Sequence, residues 1–433
     1  MRTFAVLPIL TLLLGCPDSS KPPAPPPVVV APSPAAGAQG AAVPKGPMTY
    51  YFGASEAKSN VTFTSKTAIT NIMGTTNIVQ GSATIDFEAG TGSCHLIVPV
   101  ASLRSGMADR DNAMWNPNWL NEEKHKTIEF KSEKAVLLER PNKWQITGKF
   151  TLKGVTKDVT VDATVLPIPE ALTRKCHFGD GAWARMKTGF RIKVTDFDMK
   201  IEGTNKAVMQ DEWPIEIDLY ATTTKPEKDL VAKRPSDEDL PKVVRPRTLK
   251  PDGLPGKIYQ FGKKTQLSSI SARSETALET ITTTTSTLGG YLGLDEASGA
   301  AAVRLTVPVK TLRTGIDARD EVLLGEAWLD AAKFPHIDFE STKATKKGPD
   351  TWTVEGNFTM HGVTKPLTVE AKMRAIPLEL VEQAKWGDKP GLGFTAPFKL
   401  KFSDFGIRIP EIAIAKVTDE LTLNVDVVAL ATQ

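Results

Sequence analysis

The chain has 433 residues, room for roughly two to four domains, and its 41% hydrophobic and 24% charged content is ordinary for a protein that buries a core. A formal net charge of +3, with acids and bases balanced, offers no field suited to nucleic acid. Three cysteines are too few for a disulfide framework to hold a chain of this length.

Residues 1–15 (MRTFAVLPILTLLLG) carry one positive residue and then an apolar run too short to span a bilayer, the pattern of a secretory signal. Its end, Leu13-Leu14-Gly15-Cys16, resembles the lipobox of bacterial lipoproteins. That resemblance implies cleavage before Cys16, lipid attachment to it, and a membrane anchor of several acyl chains. The acidic residue, Asp18, does not follow the cysteine directly, which points to the outer membrane and a periplasm-facing protein of the bacterial cell envelope. Residues 16–47 are rich in proline and alanine. They favour extended polyproline II and make a tether that reaches up to roughly 90 Å at about 3.1 Å per residue.

Residues 48–224 read as strands. In Asp158–Val165, Val159, Val161, Ala163 and Val165 alternate with polar residues. Trp213–Ala221 sends Trp213, Ile215, Ile217, Leu219 and Ala221 one way and Glu216, Asp218 and Tyr220 the other. Such period-two runs predict antiparallel strands with one buried face, hence a mostly-β domain. Short helices are expected near Asp111–Glu122 and after Pro169. Residues 225–255, dense in proline and mixed charge, read as a solvated linker.

Residues 256–433 repeat the first domain. Val98-Pro99, Leu103-Arg104, Gly106, Arg110-Asp111, Trp119 and Phe130 recur at a constant separation of 209 residues (98 to 307, 130 to 339). Farther on the separation is 208 (165 to 373, 219 to 427), which marks one deletion between Phe339 and Gly356. Thr276–Thr287 (TALETITTTTST) is far more polar than its partner around Val61–Met73, an asymmetry that suggests different roles for the two copies.

The inward-facing positions are apolar. In the first copy they are Val61, Phe63, Leu96, Val98, Val159, Val161, Val165, Phe190, Ile192, Ile215, Ile217 and Leu219. In the second they are Leu305, Val307, Leu367, Val369, Met373, Phe398, Leu400, Leu423, Val425 and Val427. Alternation of this kind suits a filled core and a ligand-lined interior equally well.

For the Arg110-Asp111 and Arg319-Asp320 pairs, one reading makes the aspartate a helix N-cap and the arginine a holder of the loop; the other assigns Arg104, Arg110, Arg313 and Arg319 to a ligand head group. Cys94 reads as a small core residue, with a Cys94–Cys176 disulfide as the open alternative. His95, His125, His177, His336 and His361 show no metal-ligand spacing, and His95 and His361 align with Arg304 and Lys153, which suggests exposure to solvent. No nucleophile elbow or phosphate loop occurs in the sequence, so neither an enzyme nor a resident metal is expected.

The repeated framework resembles the YceI-like family. It is carried by Leu312-Arg-Thr-Gly315, Arg319-Asp320, Trp328-Leu329-Asp330, Lys333-Phe334-Pro335, Gly356-Asn-Phe358-Thr359, Gly362-Val363-Thr364-Lys365 and Val417-Thr418-Asp419-Glu420-Leu421. The first copy carries Gly148-Lys-Phe150-Thr151 and Gly154-Val155-Thr156-Lys157 at matching places. The resemblance implies two tandem lipocalin-like antiparallel β-barrels, each around an apolar tunnel. It also implies binding of a polyisoprenoid, a quinone-like lipid or another amphiphile. A ligand-free scaffold with packed barrels is the alternative. Family members often carry histidines near a Ser-x-Val-x-Phe strand; here that strand is Ser59–Phe63 without histidine, and Ser269–Arg273 has lost the phenylalanine too.

Overall fold

A computed structural model describes residues 44–53, 59–66, 71–201, 209–228, 232, 234, 244–262, 268–276 and 278–432. The signal sequence, Cys16 and most of the tether lie outside the described residues. The first repeat runs β1 (Met48–Tyr51), β2 (Asn60–Lys66), β3 (Asn71–Thr76), β4 (Gln80–Asp86), β5 (Thr91–Pro99), α1 (Ala108–Trp115), β6 (Thr127–Glu139), β7 (Lys143–Leu152), β8 (Val155–Ile168), α2 (Glu170–Lys175), β9 (Trp183–Lys193) and β10 (Glu212–Thr222). The second runs β11 (Lys257–Phe261), β12 (Ser269–Glu275), β13 (Thr280–Thr285), β14 (Gly289–Asp295), β15 (Ala300–Pro308), α3 (Asp317–Leu324), β16 (His336–Lys346), β17 (Thr351–Met360), β18 (Val363–Ile376), α4 (Leu378–Gln383), β19 (Gly391–Lys401) and β20 (Glu420–Ala431).

Each repeat is an eight-stranded closed antiparallel barrel, as the resemblance implied. Strand order is β1-β4-β5-β6-β7-β8-β9-β10, closed where β1 meets β10 at Tyr51 and Thr222. The β2–β3 hairpin continues the wall from β10, and an isolated bridge from Thr75 to Arg104 ties its free edge to the segment after β5. The second barrel repeats the pattern, down to the Thr284–Arg313 bridge. Closure pairs the edges of the eight barrel strands and leaves only the outer edges of β3 and β13, each held by its single bridge.

In β7, Trp144, Ile146, Phe150 and Leu152 are buried while Lys149 is exposed, the alternation that a one-sided strand demands. Gly148 breaks the apolar series because the Phe130 ring and the Ser132 backbone lie where its Cβ would stand; Gly356 sits likewise under Phe339. Both glycines face bulges, between Ser132 and Lys134 and between Ser341 and Lys343, where the wall bends.

Three expectations change. Asp111 and Asp320 are not N-caps: Met107 and Ile316 hold those positions without a side-chain bond, and both aspartates lie inside their helices. From there they reach back, Asp111 to the Ser105 backbone NH at 2.6 Å and Asp320 to Thr314 NH and Oγ1, each at 2.6 Å. The segment from 225 to 255 is not simply solvated. Arg234 lies 5.3 Å over Trp115 and pairs with Glu122 at 2.8 Å, Arg247 pairs with Asp338 at 3.0 Å, and the Lys250 and Asp252 carbonyls accept from Arg304. Third, the outer face of β9 and β10 is covered, because the β12–β13 hairpin packs on it. Arg185 donates to Thr280 Oγ1 at 3.3 Å and the Thr276 carbonyl at 3.4 Å, and the Tyr220 hydroxyl donates to the Leu278 carbonyl. Asp218 and Tyr220, expected to face solvent, are buried for that reason.

Lys187 pairs with Glu275 and Arg273 with Glu216 at 2.8 Å along the same contact. Burial works to raise the Glu275 carboxyl. The hydrogen bond and charge of Lys187, with Arg273 and Arg185 beyond, outweigh it and hold the group below its ordinary 4.5. A carboxylate depressed in the folded state stabilises that state above 4.5 and loses the contribution as pH falls through the lower folded value. Glu275→Gln should therefore cost less than about 1 kcal/mol at neutral pH, because the pair is partly exposed. Urea titrations should show the difference from wild type shrinking as pH drops to about 3.

Candidate ligand cavity

The interior of the first barrel is not filled. A cavity of about 570 Å³ runs through it, walled by inward side chains of β2, β5, β7, β8, β9 and β10 and by residues of α1 and the loop after it. Pockets that enclose small molecules measure about 300–1,000 Å³, so this one lies within the ligand range. The second barrel holds about 220 Å³, below it.

The wall residues at matching positions explain the difference. In the first barrel Phe63 stacks on Trp213 (6.0 Å between centroids, 9° between planes), and Trp213 stacks on Trp119 at 5.8 Å. That three-ring ladder props Trp119 against the rim, where it remains half-buried beside the cavity. The second barrel has Ala272 and Leu421 at the first two places, so Trp328 has nothing to stack on. It is buried instead in the core cluster, edge-on to Phe402 at 5.7 Å, and does not line the cavity. Phe394, Leu367 and Val303 stand where the first barrel has Met186, Val159 and Cys94, and thicken the wall.

Of the positions read from alternation, all in the first barrel line the cavity except Val165, which is buried in the core away from it. In the second barrel all line the smaller cavity except Leu400, which packs in the core beside Phe402 and Leu421. Ile146 and Phe150 were not singled out, although the alternation of β7 carries them. Met114, Met199 and Met209 lie outside the strands, where no period marks them.

Of the four arginines, only Arg110 reaches a cavity wall. Arg104 donates to the Ala101 and Leu103 carbonyls at 2.6 and 2.8 Å and covers Trp115 at 5.0 Å. Arg313 repeats those bonds to Lys310 and Leu312, and Arg319 pairs with Glu279. Arg110 donates to Ser105 Oγ at 2.9 Å and, across to the second barrel, to Ser286 Oγ at 2.8 Å. Burial pushes its guanidinium down to about 10 against the pull of Asp111. These arginines fasten the turns before α1 and α3.

Among the polar groups in the wall, Ser65 Oγ is buried and has no hydrogen-bond partner among the described residues. Cys94 and Cys176 are free buried thiols, the first in the cavity wall and the second in a cluster with Phe178 and Trp183. Burial raises the Cys94 thiol above its ordinary value. His95 is exposed beside Glu129 at 3.3 Å, but His361, expected in solvent, is half-buried between Phe334 and the Phe405 carbonyl. Among the described residues no group of His, Cys, Asp and Glu could hold a metal.

The family model of the YceI-like domain matches residues 52–221 and 262–429. A UPF0312 protein of Yersinia pestis (strain Pestoides F) is 34% identical over 138 residues, 32% of this chain and 68% of that protein. Protein YceI of Salmonella arizonae is 35% identical over the same length and shares. Among solved structures, Burkholderia cenocepacia BcnA aligns at 20% identity and a TM-score of 0.34, covering 38% of this chain and 98% of its own. A polyisoprenoid binding domain from Saccharophagus degradans, implicated in plant cell wall breakdown, aligns at 14% and 0.28, covering 41% and 97%.

Proposed function

The chain belongs to the YceI-like family, and on that footing we propose that it is a lipid-binding protein of the bacterial cell envelope whose first barrel takes up the apolar chain of an isoprenoid-like or other amphiphilic lipid. The observation that carries the reading is the apolar cavity of about 570 Å³ in that barrel. An apolar chain moved from water into such a lining gains about 25 cal/mol per Å² of surface covered, with no polar partner required along its length. The role is sequestration or carriage, with no reaction step. Cys16 would carry the lipid anchor and the proline-rich tether would hold the barrels off an outer membrane, facing the periplasm. The second barrel, with its smaller interior, suits a structural role in the same chain.

Lipid extraction from the purified full-length protein, followed by mass spectrometry, tests the reading. An apolar lipid at about one equivalent per chain is expected, and lipid-free protein should take up retinol at a similar ratio. Protein that purifies empty and refuses retinol would refute it.

A further inference from the structure

Three residues in the wall of the first barrel's cavity belong to the second barrel: Ala384, Lys385 and Trp386. They form the turn that ends α4. Ala384 NH bonds the Leu380 carbonyl at 3.0 Å, Lys385 adopts a left-handed backbone (φ 56°), and Trp386 NH returns to the Val381 carbonyl at 2.9 Å. The reversal lays Trp386 on Ile376, Val381 and Ala384. Met209 of the first barrel packs on that same cluster and also lines the cavity, so the wall is continuous across the contact between barrels.

We propose that the head-group end of the ligand site is built by both repeats: the first barrel supplies the Ser65 hydroxyl and its Trp119–Trp213 wall, and the second supplies Lys385 next to Trp386. The ligand it fits is an amphiphile whose chain fills the barrel and whose head carries a negatively charged oxygen group. This rests on the proposed lipid-binding role of the first barrel.

The two polar groups are distinguished by what they lack. Ser274, at the matching place in the second barrel, accepts from Thr418 NH at 3.0 Å, whereas Ser65 Oγ has no partner among the described residues. A ligand oxygen would satisfy it. Lys385 is exposed and makes no ion pair among the described residues. The other charges at this cavity are engaged or offset: Glu129 is held by His95 and Thr127, and Arg110 by Ser105 and Ser286, with Asp109 next to it in α1.

The arrangement is one-way. The matching turn of the first barrel, Cys176-His177-Phe178, packs on Trp183, Tyr220, Leu278 and Ala415 and lines neither cavity. The second barrel instead packs its own Ile409, Ala413 and Val417 around Trp328 and Phe402. Duplication has thereby left one repeat to hold the chain and the other to complete its mouth.

Equilibrium dialysis of the full-length protein with retinoic acid and with retinol tests this, because the two share an isoprenoid chain and differ in the charge of the head. Wild type should prefer retinoic acid. Lys385→Gln should lower its affinity about tenfold and leave retinol unchanged, with Lys385→Arg restoring the preference. Ser65→Ala should weaken retinoic acid binding by about fivefold. A Lys385→Gln protein that keeps the wild-type preference, or variants that lose both ligands equally, would overturn the shared head-group site while the barrel reading stands. Wild type that binds neither would remove the barrel reading itself, and this proposal with it.

Discussion

Tryptophan in place of Val161 is expected to abolish retinol uptake at little cost in stability, whereas tryptophan in place of Val369 is expected to do the reverse. The two valines occupy matching places in β8 and β18, and each lines its own barrel's cavity. In the first barrel an indole at 161 enters about 570 Å³ of space, so it removes room for a chain without displacing packed neighbours. The stability cost should stay below about 1.5 kcal/mol, as for a substitution that a site accommodates. In the second barrel about 220 Å³ is available, divided among Phe394, Leu367 and the indole of Trp352. The same side chain there overpacks and should cost about 1–3 kcal/mol while leaving retinol binding intact. Urea titration and retinol fluorescence of both variants check the pair of outcomes. Equal loss of binding in both would mean that the second barrel also takes ligand.

The divergence behind this contrast was written in the sequence, but its direction was not. Aligning the repeats sets Ala272 against Phe63 and Leu421 against Trp213, losses of volume that by themselves predict a wider second barrel. The cavity is nonetheless smaller, because Phe394, Leu367 and Val303 are larger than Met186, Val159 and Cys94, and because Trp328, without the ladder, is buried against Phe402 and does not extend the wall as Trp119 does. Side-chain volume at one position does not report where a neighbouring ring goes once its stacking partner is gone. Strand alternation was a better guide. It identified the inner wall of β8 and β10 almost residue by residue, since a strand offers only two faces. Closure of those strands into barrels came from the family resemblance, because period two is the same in an open sheet.

The contact between barrels was invisible for a related reason. Glu216, Asp218 and Tyr220 alternate with the apolar residues of β10, and alternation says only that they point away from their own core. Whether water or protein lies on that side depends on a segment some sixty residues onward, the polar hairpin of β12 and β13. Its threonines were read as a mark of separate roles. The hairpin is polar where it meets the first barrel: Thr280 Oγ1 and the Thr276 carbonyl accept from Arg185, Glu275 pairs with Lys187, and the Leu278 carbonyl accepts from Tyr220.

That contact carries the second large expected effect. Arg185 bonds both carboxylate oxygens of Asp218, at 2.8 and 2.6 Å, with each side chain only 8% exposed. Burial alone would lower the guanidinium, yet the bonds and charge of Asp218, with Tyr220 and Glu275, hold it above its ordinary value. Arg185→Ala leaves the Asp218 carboxylate buried and unpaired beneath the β12–β13 hairpin and should cost about 3–5 kcal/mol by urea titration. Replacing both partners, Arg185→Met with Asp218→Leu, should recover most of that loss, because no charge is then stranded. Recovery of stability need not restore the hairpin, whose Thr276 carbonyl and Thr280 hydroxyl lose their donor in either protein. Protease cleavage between residues 225 and 255 should therefore quicken in both variants, and retinol should dissociate faster as the Ala384–Trp386 turn leaves the cavity wall. A cost for Arg185→Ala below about 1 kcal/mol would instead describe a pair open to water, which requires the hairpin to spend much of its time lifted from β9 and β10.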